Sequence, residues 1–149
     1  MIIVEKYKHK FFRDVSDLGD LFFYLFVLIA LLCVKNFNLF YKLFFGLLMI
    51  YMLTIPLRYF CFKPRPNPDK YENILDKLDA SSFPSLHAGR ATILALYAYI
   101  SLPLSLSIFI FILTFIVYYS RMYLKRHSFK DVLVGAILGL VVFYLSKLI

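Results

Sequence analysis

The segment from Ser120 to Asp131 contains the residues best suited to chemistry, and it lies between two long apolar runs. Charge is costly in such a setting, so Arg121, His127 and Asp131 indicate a function there. His127 and Asp131 are four residues apart. If the last helix begins near His127, the two side chains share a helical face and can touch. A carboxylate on one ring nitrogen would leave the other free to act as a base or nucleophile.

Two further polar clusters precede this segment. The first is Arg58 with Arg65-Pro66, and the second is Pro84-Ser85-Leu86-His87. The planar donors of arginine suit the oxygens of a phosphoryl group. Ser85 stands at the expected N-cap of a helix, so the free amides of Leu86 and His87 would add to an anion site. Together the clusters predict a site for a phosphoryl group.

The sequence predicts no metal and no cofactor for this site. It contains no carboxylate pair or Cys/His cluster with metal-ligand spacing, and Asp131 is expected to be occupied by His127. Arginines would supply the charge neutralisation that a metal ion supplies elsewhere.

The composition predicts a membrane protein with one domain spanning residues 1–149. Of its 149 residues 62% are hydrophobic, with a mean hydropathy of +0.76, whereas a soluble domain would be near half apolar. The net charge of +8 comes from basic residues clustered between apolar runs. This pattern favours lipid headgroups or phosphate as partners, rather than nucleic acid.

The apolar runs predict an all-α bundle of about five transmembrane helices. We expect an interfacial helix in the arm 1–17, a polar active-site loop at 61–84, and spans at about 18–34, 39–60, 86–102, 104–120 and 130–149. Alternation of the spans places the arm, the polar loop and segment 120–131 on one side of the membrane. The three clusters should therefore share one rim. Small residues along the third and fifth spans predict that these two helices pack together.

The three clusters resemble the signature motifs of the type 2 phosphatidic acid phosphatase superfamily, which includes lipid phosphate phosphatases and vanadium haloperoxidases. The family pattern is Lys, six residues, Arg-Pro; then Pro-Ser-Gly-His; then Ser-Arg, five residues, His, three residues, Asp. The third motif matches at every fixed position. The second has Leu86 in place of Gly, and the first has Arg58 in place of Lys.

The resemblance implies a mechanism in which His127 attacks phosphorus and forms a phosphohistidine. It implies that Asp131 orients His127, and that His87 protonates the leaving oxygen and then helps to activate water. The residues implied to hold the phosphoryl oxygens are Arg58, Arg65, Ser85 and Arg121, with the backbone amide of Leu86. Because one histidine must be neutral and the other protonated, a bell-shaped pH profile is expected.

The function predicted on these grounds is a metal-independent lipid phosphate or diphosphate phosphatase in the bilayer of the plasma membrane. We favour polyprenyl diphosphate as substrate by analogy with small family members, with phosphatidic acid and phosphatidylglycerophosphate as alternatives. A lipid phosphotransferase and a non-catalytic lipid-binding or transport protein also remain open. The side that the site faces is undecided, because the positive-inside rule and family analogy disagree. The sequence leaves the oligomeric state open.

Overall fold

The computed structural model describes residues 2–67 and 71–149, with side chains from Val4 onward. Within these residues the chain is helical, and a 3₁₀ turn, Asp17–Gly19, joins the first two helices. The helices are α1 Ile2–Ser16, α2 Leu21–Cys33, α3 Phe37–Phe60, α4 Ile74–Ala80, α5 Leu86–Ser101, α6 Leu104–Tyr123 and α7 Phe129–Ser146.

The prediction of an all-α membrane protein is confirmed. In the described part of the chain α3, α6 and α7 are long and apolar enough to cross a membrane, and residues 4–19 and 21–33 would form a fourth span if the pair, bent by 47°, is one unit. The predicted spans 18–34 and 86–102 correspond to α2, with 13 residues, and α5, with 16. The predicted arm forms α1, and the polar loop contains α4; Met1 and residues 68–70 lie outside the described residues.

Helix α5 occupies the centre of the bundle, where it packs against α3, α6 and α7. Its side chains Ile93 and Tyr97 are almost completely buried. The Tyr97 hydroxyl lies 2.8 Å from that of Ser146 on α7, which satisfies both polar groups away from water. Large apolar side chains such as Phe22 and Met52 face outward, as expected where lipid replaces water around the bundle.

Glycines let α5 and α7 approach closely, which confirms the predicted packing of these two helices. A Cβ atom built on Gly139 would lie 2.5 Å from the carbonyl oxygen of Gly89, and one on Gly135 would collide with the carbonyl oxygen of Ser85. Since both obstacles are backbone atoms, side-chain adjustment cannot relieve them. The close approach places the start of α5 directly beside α7.

We predict that Gly139→Ala lowers the stability of the protein by about 1–3 kcal/mol, because the added methyl group must separate two backbones. Gly46→Ala is the matched control, since a Cβ there meets its nearest neighbours at an ordinary 3.5 Å. That variant should unfold at or above the temperature of the unmodified protein. Thermal unfolding in detergent measures both. Equal effects of the two substitutions would show that the helix contact tolerates a methyl group.

Candidate active site

The polar connection between α3 and α5 folds back on itself and brings a backbone carbonyl to the site. Pro64 and Ser81 form an isolated antiparallel bridge. The amide of Ser82 donates to the carbonyl of Lys63 at 2.7 Å, and the Ser82 hydroxyl donates to the carbonyl of Pro64 at 3.3 Å. These bonds fix the two ends of the connection against each other. The carbonyl oxygen of Ser82 is thereby fixed facing the segment after α6.

This carbonyl orients His127. The Nδ1 atom of His127 lies 2.6 Å from the oxygen of Ser82, and the imidazole is buried. A carbonyl oxygen can only accept, so Nδ1 carries the proton and Nε2 keeps its lone pair. The arrangement supplies the oriented, neutral imidazole that a nucleophile requires.

The expected contact between His127 and Asp131 is replaced by other partners. Helix α7 begins at Phe129 with Ser128 as its N-cap, so His127 precedes the helix and the four-residue spacing does not bring the pair together. Asp131 instead completes a capping box: its Oδ2 accepts from the amide of Ser128 at 2.7 Å. Its Oδ1 accepts from Lys63 Nζ, also at 2.7 Å. Asp131 therefore supports His127 through the backbone of the neighbouring residue.

Lys63 was not among the predicted site residues. Its Nζ also lies 2.9 Å from the hydroxyl of Ser128, so it ties the polar connection to the start of α7. Its spacing in the sequence gives no signal for this role, because the partner lies 68 residues further along the chain.

Two arginines reach the site from the ends of α3 and α6, and both are buried. Arg58 donates to the carbonyls of Leu78 and Pro84, each at 3.1 Å. Arg121 donates to the hydroxyl of Ser16 at 2.6 Å. The Nε atom of each arginine is buried without a hydrogen-bond partner among the described residues. Such donors are costly unless an acceptor such as an anion binds them.

All three sequence clusters contribute to one cavity of about 370 Å³. The predicted residues in its lining are Arg58, Arg65, Leu86, His87, Arg121 and His127. Among the described lining residues, four arginines face two aspartates, Asp20 and Asp79. The cavity is therefore positively charged overall and suited to an anion.

Ser85 and Asp131 support the cavity from behind, and neither belongs to its described lining. Ser85 is completely buried, and its hydroxyl accepts from the amide of Ala88 at 3.4 Å as the N-cap of α5. Its amide donates to the carbonyl of Asp131 at 3.0 Å. Ser85 thus fixes the first turn of α5, whose remaining amides and dipole favour an anion.

The described lining also contains residues that were not among the predicted site residues, and three of these, Asp20, Tyr51 and Arg90, are joined by hydrogen bonds. Arg90 is buried and donates to the carbonyl of Gly19 at 3.0 Å and to the hydroxyl of Tyr51 at 2.8 Å, with Asp20 Oδ1 at 3.4 Å. All three of its nitrogen atoms are occupied, so Arg90 joins α5 to α3 and to the start of α2. The sequence signal for Asp20 is a carboxylate near the start of the predicted span 18–34, directly before the uninterrupted apolar stretch that begins at Leu21, a position typical of an N-cap.

Burial lowers the pKa of His127 to about 3, and the neighbouring positive charge of Arg121 adds to the effect, while the hydrogen bond to Ser82 opposes it. The imidazole is thus neutral at physiological pH. Its Nε2 lone pair is available without prior loss of a proton.

The sequence matches the PAP2 superfamily over residues 39–149, which is most of the chain. The chain belongs to the PAP2 superfamily. This confirms the family predicted from the three clusters. It also confirms the broader part of the functional prediction, namely that the chain belongs to the family of PAP2-type lipid phosphatases. The matched region contains every predicted site residue and begins after α2.

Two solved structures share the fold. The crystal structure of LpxE from Aquifex aeolicus superposes with a TM-score of 0.78 at 25% identity, covering 95% of this chain and 86% of that one. The crystal structure of a transmembrane PAP2 type phosphatidylglycerolphosphate phosphatase from Bacillus subtilis gives a TM-score of 0.69 at 25% identity, covering 95% and 75%. These similarities and the apolar helices support an integral membrane protein.

A third relative is the inositol phosphorylceramide synthase catalytic subunit AUR1 of Saccharomyces cerevisiae. It is 38% identical over 66 residues, which make up 44% of this chain. The matched segment amounts to only 16% of the yeast subunit.

The depressed pKa of His127 predicts a loss of stability at acidic pH. Because the unfolded chain binds a proton near pH 6.5 and the folded chain does so only near pH 3, stability from this group is present above pH 6.5 and is lost as the pH falls towards 3. Between pH 6.5 and pH 5 the loss is about 2 kcal/mol. Unfolding in detergent at the two pH values measures it. His127→Gln should reduce the difference in stability between the two pH values. His9→Gln, at an exposed position on α1, should leave that difference unchanged. The opposite pattern would refute the attribution of the pH dependence to His127.

Proposed function

We propose that this protein is a metal-independent lipid phosphate phosphatase that acts through a phosphohistidine at His127. The observation that carries the proposal is a positively charged cavity lined by the oriented imidazole of His127, by His87 and by two arginines. The buried Nε atoms of these arginines have no hydrogen-bond partner in the described part of the chain. A phosphoryl group would supply oxygens to those donors.

In the first step the Nε2 lone pair of His127 attacks phosphorus while the bond from phosphorus to the lipid oxygen breaks. His87 gives its proton to the departing oxygen, so that a neutral alcohol leaves. The groups that hold the phosphoryl oxygens as their charge spreads are Arg58, Arg65 and Arg121 and the amide of Leu86 at the start of α5. Ser85 and Asp131 keep the first turns of α5 and α7 in place.

In the second step water attacks phosphorus and the bond to Nε2 breaks. His87, now neutral, takes a proton from the water, and inorganic phosphate leaves. The same residue thus serves first as acid and then as base, as microscopic reversibility requires. Ser82 accepts from Nδ1 throughout, so His127 returns to its starting tautomer.

The lipid chain is expected to lie along the apolar exterior of the bundle while the phosphate enters the cavity. Polyprenyl diphosphate is the substrate we favour by family analogy. The similarity to a phosphatidylglycerolphosphate phosphatase supports a glycerolipid phosphate as the alternative. A panel of both lipid classes, with phosphate release as the readout, separates them. By the same analogy with family members, we propose that the protein lies in the plasma membrane.

We predict that His127→Ala reduces phosphate release by at least about 10³-fold, because it removes the nucleophile. Brief incubation of the unmodified protein with ³²P-labelled substrate should give an acid-labile, base-stable protein label, and His127→Ala should give none. His9→Gln is the control and should retain both activity and label. Label that persists in His127→Ala would disprove the nucleophile. Loss of activity with a chelator would disprove metal independence.

Phosphotransfer to an alcohol is a second candidate, favoured by the segment shared with a yeast synthase subunit. In that reaction an alcohol replaces water in the second step on the same phosphohistidine. If transfer is the main reaction, adding glycerol should raise the rate of lipid dephosphorylation and yield glycerol phosphate in excess of inorganic phosphate. If hydrolysis is the main reaction, inorganic phosphate should equal lipid consumed at every glycerol concentration. Phosphate and mass-spectrometric assays on one reaction mixture distinguish the two.

A further inference from the structure

Asp20 lies at the rim of the cavity, outside the three motifs and before the region 39–149 that matches the family. Its Oδ1 accepts from the amide of Leu21 at 2.7 Å and so caps α2. The same oxygen lies 3.4 Å from Arg90 Nη2 and 3.8 Å from His87 Nε2. The second distance is within ion-pair range and longer than a hydrogen bond.

The position of this carboxylate is fixed from several sides. Arg90 binds the carbonyl of Gly19 as well as Asp20, and a Cβ on Gly19 would lie 3.0 Å from the carbonyl oxygen of His87. The turn before α2 therefore packs directly on the first turn of α5. The cap to Leu21 then fixes the side chain of Asp20 relative to the His87 imidazole.

Apart from Asp20 and Asp79, the charged groups that line the cavity with His87 are positive or become so. Those whose charges act most strongly on His87 are Arg58 on α3, Arg90 on α5 itself, Arg121 on α6 and His127 before α7. Each of these opposes a positive charge on the His87 ring, whereas the proposed acid step requires the ring to carry one. A bound phosphoryl group favours that charge only while substrate is present. Among the described residues Asp20 is the carboxylate within ion-pair distance of this ring.

We propose that Asp20 is a positioning residue for His87: its carboxylate orients the imidazole and stabilises the imidazolium that protonates the leaving oxygen. The inference rests on the proposed function and adds a residue from the start of α2 to it. It assigns to the turn between α1 and α2 a part in the proton transfer.

The test uses Asp20→Asn, because asparagine is an equally good helix cap and removes only the charge. The substrates are dodecyl phosphate and S-dodecyl thiophosphate, in which sulfur replaces the bridging oxygen and leaves as a thiolate without protonation. We expect kcat for dodecyl phosphate to fall about 10- to 100-fold. We expect less than about a threefold change for the thiophosphate, since its leaving group does not need the acid. The alkaline limb of the pH profile for dodecyl phosphate should move to lower pH.

A structural role for Asp20 would affect both substrates equally, and that result would overturn the inference. Inhibition by vanadate provides a second readout: removing a negative charge beside the cavity should strengthen it, whereas a disordered site would weaken it. Asp20→Glu, which restores the charge, should recover part of the lost kcat. Asp14→Asn removes the charge of an exposed carboxylate on α1 and is the matched control. It should leave kcat unchanged for both substrates.

If the unmodified protein turns over neither compound nor any panel lipid, the proposed function itself fails. An unmodified protein that is active and an Asp20→Asn variant that matches the control would refute the role of Asp20 alone.

Discussion

The structure depends on the need to bury cationic side chains in an apolar bundle without leaving them unpaired. Arg58, Arg90 and Arg121 are all nearly inaccessible. Their partners are mostly carbonyl and hydroxyl oxygens. Leu78 and Pro84 belong to the polar connection, Ser16 is the last residue of α1, and Gly19 lies in the turn that follows it. Neutral acceptors satisfy part of each guanidinium and leave its charge uncancelled. The site therefore retains the positive potential that an anion needs.

This requirement explains why the irregular segments are arranged as they are. The polar connection between α3 and α5 folds back through the bridge of Pro64 with Ser81, which brings its carbonyls to the arginines and to His127. The turn Asp17–Gly19 brings the carbonyl of Gly19 to Arg90. The helices in turn fix these segments, because Gly135 and Gly139 allow α7 to lie against the first turns of α5. Helix packing and the polar site therefore depend on each other.

The sequence was sufficient to predict the elements and the gathering of the clusters, because both follow from patterns that are local or ordered along the chain. The apolar runs predicted the helices, and the fixed spacings of the motifs predicted six residues that line one cavity, whereas Ser85 and Asp131 lie behind its described lining. The partners of those residues were beyond prediction. The four-residue spacing predicted a contact between Asp131 and His127 on one helical face. The contact does not form, because α7 begins two residues after His127. Lys63 and Ser82 reach the site only through the folding of the polar connection, and Asp20 only through Arg90. Contacts that depend on the path of a loop leave no periodic trace in the sequence.

The replacement of a carboxylate by a carbonyl beside His127 affects the proposed mechanism. A carbonyl dipole fixes the tautomer as a carboxylate would, but stabilises a positive imidazole less. With Nδ1 protonated and phosphorus on Nε2, the phosphohistidine ring carries a positive charge close to Arg121 in a buried site. The same burial and charge that lower the pKa of His127 to about 3 disfavour that charged ring and so favour cleavage of its bond to phosphorus. In the proposed mechanism the environment that keeps the nucleophile neutral also makes it a good leaving group. The phosphoryl oxygens must then compensate for the charge while the intermediate lasts, which explains why the cavity requires several arginines.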